Sequence, residues 1–152
     1  VDHHFFMREA LKEAERAYAL GEVPVGAVVV DPGGRIVARA ANLREKEKDP
    51  TAHAEILALR QAAQVVGDWR LEGYTIYVTL EPCPMCAGAI LEARIWRLVF
   101  GALDPLKGAA GTVINLFSHP ALGFRGEVLG GILEGECSEL LKKFFRELRR
   151  DG

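Results

Sequence analysis

Three side chains that favour borderline and soft metals, His53, Cys83 and Cys86, stand in two short segments about thirty positions apart. A fold that uses them together must bring two distant turns to one point. Three protein donors is the number a catalytic zinc takes, since its fourth position stays open for water; a structural zinc is closed by four. Glu55 follows His53 by two residues and offers a carboxylate beside that open position. On a regular helix, residues two apart lie roughly 200° apart around the axis. His53 and Glu55 therefore cannot both face one ion sideways. At a helix tip, one can bind the ion while the other reaches past it. His53, Cys83 and Cys86 are accordingly read as the ligands of one zinc ion, and Glu55 as the group that moves protons for the water.

The flanking residues say where these segments sit. Apolar residues at helical spacing from about Phe5 to Leu20 predict a first helix, ended by Gly21. Val23 to Val30 reads as a strand, Asp31-Pro32-Gly33-Gly34 as a turn and Arg35 to Ala41 as the returning strand of a hairpin. Leu43 to Lys48 reads as a charged loop. Asp49-Pro50-Thr51 signals a helix start, and the helix should run from about Ala52 to Val66. Thr75 to Leu80 and Trp96 to Gly101 read as strands, with a helix from Cys83 to Arg94 between them. A glycine-rich stretch follows, then a short helix at Val113 to Phe117 and a weak strand at Glu127 to Leu133. The last helix should run from about Cys137 to Arg149, with Leu140, Leu141, Phe144, Phe145 and Leu148 on its inner face. Strands alternating with helices imply an α/β fold, a three-layer α/β/α sandwich around one partly parallel sheet. The cysteine pair then opens a helix, where free amides and the helix dipole favour thiolates. Two helix N-termini aimed at the ion would restore positive potential that two thiolates remove.

A length of 152 residues with 49% hydrophobic content fits one domain spanning 1–152 with a real core. No apolar run is long enough to span a membrane. The opening Val1-Asp2-His3-His4 lacks the build of a signal peptide, so a cytoplasmic location is expected. Three cysteines in such a chain argue for metal or catalysis before disulfides. A net charge of −2 gives no bulk sign of nucleic-acid binding, so any such surface must be local. Lys142, Lys143, Arg146, Arg149 and Arg150 form one candidate, and a solvated helix face explains them equally well.

The cysteines admit two other readings. Pro-Cys-Pro-Met-Cys between a strand and a helix resembles a redox dithiol, and Cys137 could close a structural site as a fourth ligand. The added His-x-Glu at a second strand-to-helix junction argues against the first, and the usual burial of a lone cysteine against the second. His3, His4 and His119 lack partner spacing and are left out of the site.

The paired motifs are the signature of zinc nucleoside and base deaminases. Glu22-Val23-Pro24-Val25-Gly26-Ala27, Asp49 to Glu55, Tyr77 to Cys83, Cys86-Ala87-Gly88-Ala89 and Gly108-Ala109-Ala110-Gly111 occur in matching order. Together they closely resemble the bacterial tRNA-specific adenosine deaminases (the TadA type), over nearly the whole chain. The resemblance implies a cytidine deaminase-like fold with a mixed five-stranded sheet and one Zn2+ per chain. It implies a homodimer that converts the wobble adenosine of a tRNA anticodon stem-loop, typically an arginine tRNA, to inosine. His53, Cys83 and Cys86 match the zinc ligands and Glu55 the proton shuttle. Asn42 matches an asparagine that hydrogen-bonds the flipped-out base, and Asp104 a contact to a nearby nucleotide. Phe145 and Arg149 fall on the final helix that grips RNA; from spacing alone, Phe145 reads as core and Asn42 as a strand-end turn residue. The chain departs from many relatives at Leu103, at Gly123-Phe124 before Arg125, and in its spacing around Lys107. These differences leave the metal chemistry untouched and fall on RNA-contact positions. Two alternatives stay open at this point. One is a free purine base deaminase such as a guanine deaminase, which shares His-Ala-Glu and Pro-Cys-Pro-Met-Cys. The other is a zinc-dependent RNA-binding module without turnover.

Overall fold

The Asp2 carboxylate accepts a hydrogen bond from the Phe5 amide at 2.9 Å, satisfying one of the free N–H groups of a helix start. The helix it opens, α1 (His3–Ala19), buries Phe6, Met7, Ala10, Leu11, Ala14 and Ala17 along one stripe. The structure, a computed structural model, describes residues 1–151. After α1 come β1 (Gly26–Val30), β2 (Ile36–Ala41), the one-turn α2 (Arg44–Glu47), α3 (Ala54–Val66), β3 (Thr75–Leu80) and α4 (Pro84–Glu92). Then follow β4 (Arg97–Ala102), β5 (Glu127–Leu129) and α5 (Glu134–Asp151).

The five strands form one mixed sheet in the order β2-β1-β3-β4-β5. β1 pairs antiparallel with both β2 and β3, whereas β3, β4 and β5 run parallel. Side chains alternate across the sheet as strand geometry requires. Ala27, Val29, Ile76, Val78, Leu98 and Phe100 share one core layer with Ala58, Leu59 and Ala62 of α3 and Ile90 of α4. Val28, Val30, Tyr77 and Val99 share the other layer with Phe6, Met7, Ala10 and Leu11 of α1 and Cys137 of α5. This is the expected α/β/α sandwich. Gly26 makes the fit of α1 possible: a Cβ there would lie 2.1 Å from the Ala10 carbonyl oxygen.

Several boundaries differ from the sequence expectation, each for a local reason. β1 starts at Gly26 and not Val23, because Pro24 has no N–H to give a ladder and Val25 N–H bonds Val23 O at 2.8 Å. The charged loop contains α2, ended by Lys48 in the left-handed region (φ 52). α3 starts two residues late: Asp49 Oδ1 accepts from both Thr51 N–H and Thr51 Oγ1, each at 2.8 Å, so Asp49 to Thr51 form a turn of their own. The short helix at Val113 to Phe117 does not form. Asn115 Oδ1 takes the amides of Phe117 and Ser118 at 3.0 and 3.2 Å, the competition with helical bonding typical of asparagine. β5 stops at Leu129 before Gly130-Gly131, and α5 begins at Glu134, three residues earlier than expected. Phe145 and Leu148 were expected on the inner face of α5, yet they are 40% and 54% exposed.

Candidate active site

Parallel strands place their C-terminal ends on one side of the sheet, and the loops there carry the chemistry. β3 runs out through Glu81-Pro82 into Cys83, whose extended backbone (φ −73, ψ 172) makes it the N-cap of α4, with Pro84 in the first turn. His53 is the N-cap of α3 in the same extended conformation (φ −73, ψ 152). Neither side chain caps its own helix; they turn toward each other. His53 Nδ1 lies 3.4 Å from Cys86 Sγ and 3.7 Å from Cys83 Sγ, and one donor atom of each residue lies within 4.8 Å of the other two. A tetrahedral zinc with bonds of about 2.0 Å to nitrogen and 2.3 Å to sulfur would separate those atoms by about 3.6 Å. The trio therefore fits one zinc ion and leaves one side of it open.

The protonation of the metal-free trio is uneven. A hydrogen bond from Cys86, joined by one from His53, lowers the Cys83 thiol to about 4 despite burial. Its partner Cys86 is pushed strongly upward by that same hydrogen bond and by burial, and keeps its proton. His53 is raised, chiefly by its hydrogen bond to Cys83.

Glu55 lies just inside α3, 4% exposed. Burial, with the charge of Cys83 adding to it, lifts its carboxyl to about 7; a bound cation would act in the opposite direction. It lines a small cavity of about 140 Å³ together with His53, Cys83, Asn42, Asp104, Glu81 and Lys107. This inner cavity shares Arg44, His53, Cys83 and Lys107 with an outer groove of about 550 Å³, walled by Met85, Leu106, Val113 and Ile114. Two of the sequence candidates for substrate contact, Asn42 and Asp104, thus meet Glu55 and the metal trio at one cavity. The other two do not: Phe145 and Arg149 belong to α5, which packs against β3 and β4 in the layer with α1, opposite α3 and α4.

Two buried carboxylates that the sequence reading did not single out hold this cavity in shape. Glu81, 1% exposed, accepts from the amides of Asp104, Ala110 and Thr112 at 3.1, 3.0 and 3.1 Å and from the Thr112 hydroxyl. Burial alone would raise its pKa, but these hydrogen bonds prevail and lower it. Gly108 has no room for a side chain here, since a Cβ would lie 2.5 Å from the Glu81 carboxyl carbon. Glu22 does the same for α2, accepting from Glu45 N–H at 3.0 Å and Lys46 N–H at 2.6 Å. The available signal was a lone acid at the edge of an apolar strand, as in Leu80-Glu81-Pro82. Glu81→Ala leaves four donors without their partner, so unfolding in urea should show a loss of about 3 kcal/mol. A loss under about 0.5 kcal/mol would show that the loop holds itself.

Cys137 is buried in the opposite layer, against Gly101, with burial pushing its thiol up to about 12. Among the described residues it joins no metal-binding group. Cys137→Ser is therefore expected to leave zinc content and activity unchanged; loss of the metal in this variant would reinstate a closed site. His3 instead bonds the Tyr77 hydroxyl at 2.7 Å, and His119 accepts from Ala121 N–H at the short turn 120–122.

Residues 1–102 match the family model for the cytidine and deoxycytidylate deaminase zinc-binding region. The tRNA-specific adenosine deaminase of Bacillus subtilis is 53% identical over 145 residues, 95% of this chain and 89% of that one. The chain belongs to the tRNA-specific adenosine deaminase family. The tRNA-specific adenosine deaminase of Haemophilus influenzae is 50% identical, over 95% of this chain and 84% of that one. A solved structure from work on A-to-I editing by tRNA:A34 deaminases at the wobble position superposes with a TM-score of 0.86 at 46% identity. It covers 90% of this chain and 98% of its own. Membership makes this chain a zinc-dependent deaminase and accounts for the mixed five-stranded sheet. No helix among the described residues is long and apolar enough to cross a membrane.

Proposed function

We propose that this chain, as a single domain over residues 1–152, hydrolyses the wobble adenosine of a tRNA anticodon loop to inosine. The observation that carries the reading is Glu55, a buried carboxyl in the small cavity on the open side of the His53, Cys83 and Cys86 trio. His53, Cys83 and Cys86 would hold zinc, which when bound lowers the pKa of water enough to make it a nucleophile near neutral pH. Glu55 takes a proton from the attacking water and delivers it to N1 of the adenine as C6 gains oxygen. It then carries the second proton to the amine as the C6–N6 bond breaks and ammonia leaves. One water is consumed and one ammonia released.

Asn42 is set to position the base. Its Nδ2 donates to Val23 O at 3.1 Å and its Oδ1 accepts from Arg44 N–H at 3.2 Å. The amide orientation is thereby fixed, with one N–H and one lone pair left for a ligand. The base must leave its stack to enter, which costs least in a single-stranded loop. Asp104 serves the neighbouring nucleotide, and Phe145 and Arg149 grip RNA from α5. We further propose a cytoplasmic homodimer with an arginine tRNA as its main substrate.

Offering zinc-loaded protein an anticodon stem-loop and free guanine together separates the readings. Inosine in the RNA, with guanine untouched, is expected. Ammonia released from guanine at a rate that RNA does not suppress would place the chain among the free-base deaminases instead. RNA binding without inosine would make it a binding module.

A further inference from the structure

Acids and cations meet where the two connected cavities join. Glu55, Glu81 and Asp104, all acids, line the inner cavity. Outside it, metal trio aside, the groove wall carries only two charged groups, Arg44 and Lys107, among Pro50, Pro84, Met85, Leu106, Val113 and Ile114. Both cations also line the inner cavity, so they stand at the threshold between the two spaces. Polar side chains fix the backbone beneath each of them. Asn42 and Glu22 bind the amides of Arg44, Glu45 and Lys46, and Asp104 Oδ1 accepts from Leu106 and Lys107 N–H at 3.0 and 3.2 Å. Among the described residues, Lys107 makes no ion pair, and Arg44 pairs only with its exposed neighbour Glu45 at 3.4 Å.

We propose that Arg44 and Lys107 form a phosphodiester clamp that stops the RNA backbone at the threshold while the target base passes inside. The proposal rests on the deaminase reading above and adds a selection rule to it. The inner cavity, about 140 Å³, has room for a planar purine but not for its sugar and phosphate as well, so the phosphate stays outside. The nearest place where a phosphate attached to that nucleoside meets cations is the threshold itself. A guanidinium and an ammonium on fixed backbones hold it by charge-assisted hydrogen bonds. The substrate is thereby selected as a nucleotide within a chain, and free nucleosides and bases, which lack the phosphodiester, gain nothing from the clamp.

The test uses zinc-loaded wild-type protein, Arg44→Gln and Lys107→Gln. The substrates are an anticodon stem-loop and two copies carrying one neutral methylphosphonate linkage, on the 5′ or the 3′ side of the target adenosine. Each variant should raise KM for the natural stem-loop about tenfold, the effect of one charge-assisted hydrogen bond, with kcat within about twofold. One of the two neutral linkages should raise the wild-type KM to a similar degree and have little further effect in the variants. The logarithmic salt slope of binding should fall by about 0.7 in each variant, as expected for one lost contact to single-stranded phosphate. Unchanged KM in both variants would overturn the clamp, as would neutral linkages whose effects multiply in full with the substitutions. A wild-type protein that makes no inosine from any of the three RNAs would instead overturn the deaminase reading on which the clamp rests.

Discussion

Glu55→Ala is expected to keep one zinc per chain and to bind the anticodon stem-loop with unchanged affinity, while deamination falls by about a thousandfold or more. The expectation follows from where the carboxyl sits. Glu55 is almost completely buried, on the open side of the ligand trio, in a cavity with little room for bulk solvent. No water chain can easily replace a proton carrier there. Burial raises its carboxyl, whereas a bound cation acts in the opposite direction, so the two oppose each other at the proton carrier. Glu55→Gln tests the charge separately, since it keeps the shape and the hydrogen-bonding reach but cannot cycle a proton. It should be as inactive as the alanine variant. Normal turnover in either would place the proton carrier elsewhere. Loss of zinc from both would make Glu55 part of the metal's support and not a shuttle.

Cys86→Ser should remove the metal and the activity together. Cys86 is fully buried in the first turn of α4, with His53 Nδ1 at 3.4 Å. In the metal-free trio the thiolate rests on Cys83, and Cys86 keeps its proton. Binding zinc must expel that proton. A serine hydroxyl gives up its proton far less readily, so affinity should fall by a hundredfold or more on the order-of-magnitude scale of lost metal support. After dialysis against a chelator, wild-type protein should hold about one zinc per chain and the variant almost none. Wild-type stability should rise with free zinc, by about 2.7 kcal/mol at a hundredfold excess over Kd; the variant should show no such rise. Zinc retained in Cys86→Ser would mean that another donor completes the site.

Much of this could be read in the sequence because it rests on local chemistry. Spacing alone suggests that Glu55 is a shuttle and not a ligand, the role proposed for it above, and it also suggested the helix starts that the structure caps with His53 and Cys83. The core strands were legible because β-branched runs such as Val28-Val29-Val30 can be buried only in a sheet covered on both faces. What was not legible depends on partners distant in sequence. The fate of Val113 to Phe117 turned on one asparagine taking two amides. The work of Glu22 and Glu81 could not be seen before the loops they bind, some 23 to 31 positions away, were folded around them. Phe145 has the spacing of a core residue, but its side chain is left 40% exposed.

The proposed reaction replaces the amine of one loop adenosine with oxygen from water, at the trio His53, Cys83 and Cys86 beside Glu55. Turnover of an anticodon stem-loop in water enriched in oxygen-18, followed by mass analysis of the RNA, tests it most directly. Inosine at the wobble position alone, one heavy oxygen per inosine, and no product after zinc is stripped are the expected results. Zinc-loaded protein that makes no inosine, or inosine that carries no heavy oxygen, would contradict it.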